Sequence, residues 1–393
     1  MSNVKFFEFH SVQNFPPHCL NRGDLNGPKD CDLGAYKRAR ISSQCVKRAI
    51  RLYCRENGLL LSKNLSVRTR RVPELVAEKV VTAFSVSPEN ASAAVSEAMA
   101  AVGITKKDGE AMDDVMIFLS NSFIDKLASF CSKHMQELLA NRTPETKERT
   151  DVKKKPAKKE AKAYSDEMKN DIESVRKSLL KPSDAVDISL FGRMIATMPE
   201  AEIDAACQVA HAISTNRLAS DFDYFTAVDD FNRSGDAGAA HLDTAGFNSS
   251  CFYRYSNVDY PQLLSYLEND TVLAKTGLYA FLKASVLALP SGKQNSYAAF
   301  TVPDFVVVVV RSEGQPQSLV NAFVQPAQPN GDLVQESIEK LTGYQQKLSA
   351  FLSDTSSKVY YAGIKTPQNP PANWVRCENL NDLLSKVVAE TEN

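Results

Sequence analysis

The segment "DFVVVVVRS" at 304–312 sets the first constraint, because five consecutive valines leave no polar face and suit a strand buried on both sides or at the centre of a sheet. The aromatic and β-branched "VKFFEFHSV" at 4–12, a second strand by the same signals, stands at the opposite end of the chain. "AVDISLFGRMIA" at 185–196 and "KVYYAGI" at 358–364 also read as strands. One sheet is therefore gathered from segments far apart in sequence, and what lies between them is insertion or cover. At 393 residues, 43% apolar and 24% charged, the chain is ordinary globular material too long for one hydrophobic core.

Residues 59–180 look different. "PELVAEKVVTAFSV", "ENASAAVSEAMAAVG" and "DDVMIFLSNSFIDKLASFCSKHMQELLAN" are rich in Ala, Glu, Lys, Met and Leu and predict a helical insertion. Its later part, "KERTDVKKKPAKKEAKAYSDEMK", is Lys-rich and of low complexity, giving a loop at 147–165 before helix resumes near Glu167. The stretch 216–250 is dense in aromatics, Asp and Gly without a clear period, and predicts a long irregular excursion, of a kind that is either functional or disordered. "YPQLLSYLENDTVLAKTGLYAFLKASVLAL" reads as two helices and "VQESIEKLTGYQQKLSAFLSD" as another. The expected class is α+β, with a ferredoxin-like or RNA-recognition-type sheet built from 1–58, 181–215 and 251–393.

The total charge is −1, from 46 basic and 47 acidic residues, yet nine Lys or Arg stand against three acids between Asn21 and Arg55, a local charge near +6. Pro16, Pro17, Gly23, Gly27, Pro28 and Gly34 mark the first half of that stretch as loop. From Ser42 the spacing of Val46, Ala49, Ile50, Tyr53 and Cys54 predicts a helix, capped by Ser42 or Ser43 and stopped by Gly58. Lys47, Arg51 and Arg55 recur every fourth residue on its other face, beside Arg48. A solvated amphipathic helix explains such a face by itself. The added Arg22, Lys29, Lys37, Arg38 and Arg40, leading into a helix N-terminus with its free N–H groups, favour a polyphosphate partner met by this patch.

Catalytic signals are weak. Asp24, Asp30 and Asp32 are the acids inside the cluster, and loop aspartates more often cap turns or pair with Arg than bind catalytic metals. "GKQNS" at 292–296 lacks the upstream glycine spacing of a phosphate-binding loop and is read as a contact loop. Eight cysteines without a CxxC pair and five scattered histidines argue against a zinc site or a disulfide framework, so reduced thiols, no metal and no cofactor are expected. "MSNVKFFEFHSVQNF" lacks the pattern of an export signal and no segment has the ~20 apolar residues that span a bilayer. These features predict a soluble, non-exported cytoplasmic protein with no membrane partner.

On these residues the chain resembles a known family. "CLNRGDLNGPKDCDLGAYKRARISSQCVKRAIR" is similar to the N-terminal signature of CasC, the repeated backbone subunit of the type I-E CRISPR Cascade complex. "DISLFGRMIATMPEAEIDAACQVAHAISTNRL", "DYFTAVDDFN", "GAAHLDTAGFNSSCFYRY" and "GKQNSYA" resemble further family segments in the family's order. The resemblance implies a right-hand shape, with an RNA-recognition-type palm, helical fingers at 59–180 and a thumb at 216–250. It implies a subunit that does no chemistry and polymerises, as six copies with other Cascade subunits, along a CRISPR RNA whose spacer it presents to target DNA. Carried over position by position, it places Arg22, Lys29, Ser42, Gln44, Lys47 and Arg51 against the RNA backbone. It makes Tyr224 and Phe225 the wedge that flips a nucleotide, with Met194 packed at the same step. Lys153, Lys154, Lys155, Lys158, Lys159, Lys162 and Lys169 become the fingers surface that guides DNA. Backbone contacts bind any sequence, as a carrier of arbitrary spacers requires.

Two rival readings carry different signatures. A metal-dependent RNase would use Asp30 or Asp32 to cut guide-complementary RNA. A general single-strand-binding protein would bind with the same salt sensitivity but without a CRISPR RNA or partner subunits.

Overall fold

The computed structural model describes residues 5–24, 26–104, 116–141, 164–195, 198–227, 241–328 and 331–392. In chain order the first half runs β1 (Phe6–His18), β2 (Asp30–Leu33), β3 (Tyr36–Ile41), α1 (Ser43–Glu56), β4 (Ser66–Thr69), α2 (Val72–Phe84) and α3 (Pro88–Val102). It continues with β5 (Ile117–Ser120), α4 (Asn121–Lys133), α5 (Met135–Ala140), α6 (Asp166–Leu180) and α7 (Val186–Phe191). The second half runs β6 (Cys207–Val209), β7 (Ala212–Ser214), β8 (Ser220–Ala227), β9 (His241–Asp259), α8 (Tyr260–Tyr266), α9 (Thr271–Leu287) and α10 (Gln294–Tyr297). It closes with β10 (Phe305–Arg311), α11 (Leu333–Leu352), β11 (Lys358–Gly363), β12 (Trp374–Arg376) and α12 (Leu380–Ala389). The class is α+β, and the chain divides into two compact units, 1–60 with 206–264 and 270–393, and 61–205 with 265–269. Residues 181–205, grouped with the sheet by sequence, fall in the second unit.

The first unit is organised by a mixed sheet in the order β12-β11-β10-β1-β9-β7-β3-β2, with β6 and β8 also paired to β9. The valine strand β10 is central and every one of its residues is buried. It lies antiparallel between β1 and β11. Alternation sends Val307 and Val309 into a core with Ile338 and Leu341 of α11, while Val306, Val308 and Val310 are buried on the opposite face. Phe7 and Phe9 stand opposite Val310 and Val308 and fill that second face. Each such side chain taken from water contributes about 1.5–3 kcal/mol, which is why this strand tolerates no polar position.

Three sequence expectations change. First, β1 does not end at Val12 but runs to His18, and its register against β9 shifts between Phe15 and His18. Pro16 and Pro17 sit in that break, where the missing N–H groups cost no ladder bond. Second, "AVDISLFGRMIA" supplies the helix α7 where a strand was expected. The Asp187 carboxylate is buried and accepts from Ser66 N at 3.0 Å and Ser66 Oγ at 2.6 Å, a tertiary anchor that overrides local β-propensity. Third, the stretch read as irregular holds the antiparallel pair β8–β9, in register from Ser220↔Asn248 to Ala227↔His241. The alternation Asp221, Phe222, Asp223, Tyr224 is a two-residue period, obscured in sequence by the Gly- and Asp-rich connection.

Among its described residues the second unit is mainly helical, as composition predicts, with the short antiparallel pair β4–β5. Val76, Val80, Ala94, Val95, Leu127 and Met168 join one core from α2, α3, α4 and α6. Among the described residues no helix is long and apolar enough to cross a membrane.

Candidate nucleic-acid interface

The basic stretch begins in a tight loop. Gly23 N donates to Gly27 O at 2.8 Å, Asn26 N to Gly23 O at 3.1 Å, and Arg22 bridges to Pro28. Lys29 N then donates to Asn21 O and Arg40 N to Lys29 O, both at 2.9 Å, so the loop closes on the end of β3. The Asn21 side chain accepts from Ser42 N at 2.8 Å and ties the loop to the start of α1. Gly292 fixes a second loop against the first, since a Cβ there would stand 2.3 Å from Leu20 O. A groove of about 490 Å³ results, with Arg22 and Arg48 among its walls and Gly292 at one side.

Gly292→Ala is expected to destabilise the protein by about 1–3 kcal/mol, because neither backbone can yield without opening the groove. Gly27→Ala, with nothing within 4 Å of its added methyl, serves as the control and should keep the wild-type denaturation midpoint.

α1 forms as its spacing predicts. Val46, Ala49, Ile50 and Cys54 are buried, and the Ser42 hydroxyl caps the helix by accepting from Cys45 N at 3.3 Å. Gln44 is exposed and Lys47 and Arg51 are half-buried on the flank of the helix. The cap leaves Ser42 buried, so its hydroxyl shapes the helix N-terminus from within. Arg22 is exposed and donates to Asn26 Oδ1 at 3.0 Å, and Lys29 is half-buried beside the helix start.

The nine cations are not equivalent. Arg38 is fully buried and donates to the carbonyls of Ser214 and Thr215, each at 2.9 Å, and of Phe323 at 2.6 Å. It belongs to the scaffold. Lys37 is ion-paired to Asp32 at 3.1 Å and Asp30 at 3.8 Å, so on this exposed ribbon its charge is more than offset by theirs. Arg22, Lys29, Arg40, Lys47 and Arg48 stand outside both arrangements, around the basic loop and the start of α1.

Sequence reasoning missed His211, a lone histidine with no spacing signal. Its Nδ1 accepts from Ser43 N at 2.8 Å, one of the free amides of the α1 N-terminus. Burial lowers its pKa, and the Arg40 and Lys29 charges push the same way. The ring is therefore neutral at pH 7 and leaves the local charge to Lys29 and Arg40.

On β8, Phe222 and Tyr224 are 75% and 64% exposed on one face, and Asp221 and Asp223 occupy the other. A Cβ at Gly246 of β9 would stand 3.4 Å from Gly27 and Pro28 and 3.7 Å from Phe222, so the pair is rooted beside the basic loop. The Phe225 side chain lies outside the described residues, as do Lys153, Lys154, Lys155, Lys158, Lys159 and Lys162. In the second unit Met194 is 74% exposed, and Lys169 of α6 is paired with Asp166 at 2.8 Å. Among the described residues no three His, Cys, Asp or Glu side chains are grouped to hold a metal.

The fold and this surface define an α+β protein with an extended cationic face built on a β-sheet, suited to holding a row of anions. The chain belongs to the CT1975-like protein family, whose model matches residues 7–388. It is similar to a chain of a solved CRISPR RNA-guided surveillance complex in a pre-nicking state, at 30% identity and TM-score 0.82, over 98% of this chain and 100% of that one. It is also similar to a chain of another CRISPR RNA-guided surveillance complex, at 25% identity and TM-score 0.71, over 98% and 99%. No curated protein matches the sequence.

Proposed function

We propose that the chain is a non-catalytic, CRISPR RNA-binding backbone subunit of a surveillance complex of the type I-E Cascade class. The observation that carries this reading is the convergence of Arg22, Lys29, Arg40 and Lys47, from separate segments, around the start of α1, in a chain similar over nearly its whole length to chains of CRISPR RNA-guided complexes. Backbone phosphates run along this face and the bases stay free for pairing with target DNA. The exposed Phe222 and Tyr224 on β8 offer flat faces on which a base can stack. In this reading the sheet serves as an RNA-recognition-type palm, copies of the chain assemble along the guide in the cytoplasm, and Asp30 and Asp32 partner Lys37 instead of a catalytic metal.

Expression of the chain with its neighbouring gene products, followed by sequencing of the RNA that co-purifies, tests the proposal. Discrete spacer-repeat RNAs of uniform length in a large particle are the expected outcome. Recovery free of RNA, or with heterogeneous fragments that magnesium shortens and Asp30→Ala/Asp32→Ala protects, would overturn it in favour of a nuclease.

A further inference from the structure

The sheet sets His211 over the start of α1. Ile41, the last residue of β3, pairs with Ala212 of β7, and Ala210 N donates to Tyr255 O at 3.0 Å, so the backbone is held on both sides of the histidine. α1 begins two residues after β3 ends, which brings Ser43 N within 2.8 Å of the ring. A backbone N–H donates and cannot accept, so Nδ1 is the bare nitrogen and the neutral ring carries its proton on Nε2. The helix thus fixes the tautomer.

His211 is exposed, and among the described residues its Nε2 meets no hydrogen-bond partner. Burial lowers its pKa, and the nearby charges of Arg40 and Lys29 lower it further, so the donor stays uncharged at neutral pH. Three of the first four amides of α1 are already taken. Ser43 N is held by the ring, Cys45 N by the Ser42 hydroxyl at 3.3 Å and Val46 N by Ser42 O at 3.1 Å. An anion arriving at this helix end therefore meets the imidazole where it would have met the Ser43 amide, with the donor displaced outward by the width of the ring. The hydrogen bond accepted at Nδ1 polarises the ring and strengthens the donor at Nε2.

We propose that His211 is a direct ligand of the guide strand, its Nε2–H donating to a phosphate oxygen beside Lys29 and Arg40. The inference rests on the RNA-binding reading of this face and adds a neutral contact among the charged ones. A lysine attracts phosphate over a wide range of directions, whereas one N–H on an anchored ring is satisfied along a single line. Lys29 and Arg40 supply the attraction, and His211 fixes where the phosphate sits.

Binding of spacer-length RNA to the full chain carrying His211→Asn or His211→Gln tests the contact. The Asn amide can place an acceptor where Nδ1 stands but has no donor at the Nε2 position. The Gln amide reaches the Nε2 position with an N–H and leaves Ser43 N without an acceptor. His211→Asn is expected to weaken binding about tenfold, and His211→Gln to recover most of that loss. Because an uncharged donor releases no counterions, the dependence of log K on log salt should be the same in His211→Asn as in the wild type. A role exerted only through Ser43 and α1 predicts the reverse order, with His211→Asn like the wild type and His211→Gln impaired. Undiminished binding by His211→Asn, equal losses in the two variants, or a changed salt slope in His211→Asn would each overturn the contact while leaving RNA binding by the wild type intact. A wild-type chain that binds no RNA overturns the RNA-binding reading itself, and this inference with it.

Discussion

Arg38→Met is expected to lower stability by about 3 kcal/mol or more, measured as a fall in the denaturation midpoint, although Met fills much of the same volume. The side chain is completely buried and holds together three segments that are far apart in sequence: β3, the end of β7 at Ser214–Thr215, and the chain around Phe323. Removing the guanidinium leaves several carbonyls facing an apolar thioether. Hydrogen bonds to a charged donor are worth about 1.5–3 kcal/mol each, and abandoned acceptors carry their own desolvation cost. Lys37→Met, one residue away, removes only an exposed ion pair and should leave the midpoint unchanged. If Arg38→Met instead folds with wild-type stability and fails only to bind RNA, Arg38 is a surface ligand and the scaffold assignment is wrong.

The contrast between Lys37 and Arg38 also marks where sequence stops being informative. Composition and spacing located the basic stretch and the apolar stripe of α1, because a helical period and a charge count are local properties. The position of β10 at the sheet centre followed from its valines for the same reason. Which cations face solvent did not follow, since the carbonyls that bury Arg38 come from residues 214–215 and 323, whose approach depends on the fold. His211 escaped notice because a single histidine has no pattern, and its role rests on one hydrogen bond to Ser43. The pair β8–β9 was read as irregular because its period of two spans only a few residues before the connection breaks it. α7 was misread because the buried Asp187–Ser66 contact, distant in sequence, decides its conformation.

Lys29→Ala and Lys47→Ala are each expected to weaken binding of spacer-length RNA about tenfold, and by the same factor for RNAs of unrelated sequence. Lys29 stands between the basic loop and the α1 N-terminus, with its backbone fixed by Asn21 and Arg40, so its side chain starts from a fixed point beside the helix start. Lys47 extends the same row one turn along α1. Each lysine that neutralises a phosphate releases counterions, so losing it should flatten the dependence of log K on log salt by about 0.7 for a single strand. Lys37→Ala supplies the discriminating comparison. If the whole basic stretch acted as a diffuse cloud, removing any of its lysines would change the slope equally. Because Asp30 and Asp32 already neutralise Lys37, its removal should leave the slope nearly unchanged, with at most a slight flattening as the two carboxylates are freed to repel phosphate. Binding titrations of the three variants over a salt series separate a built row of phosphate contacts from a general positive field, and equal slope changes in all three would rule out the row.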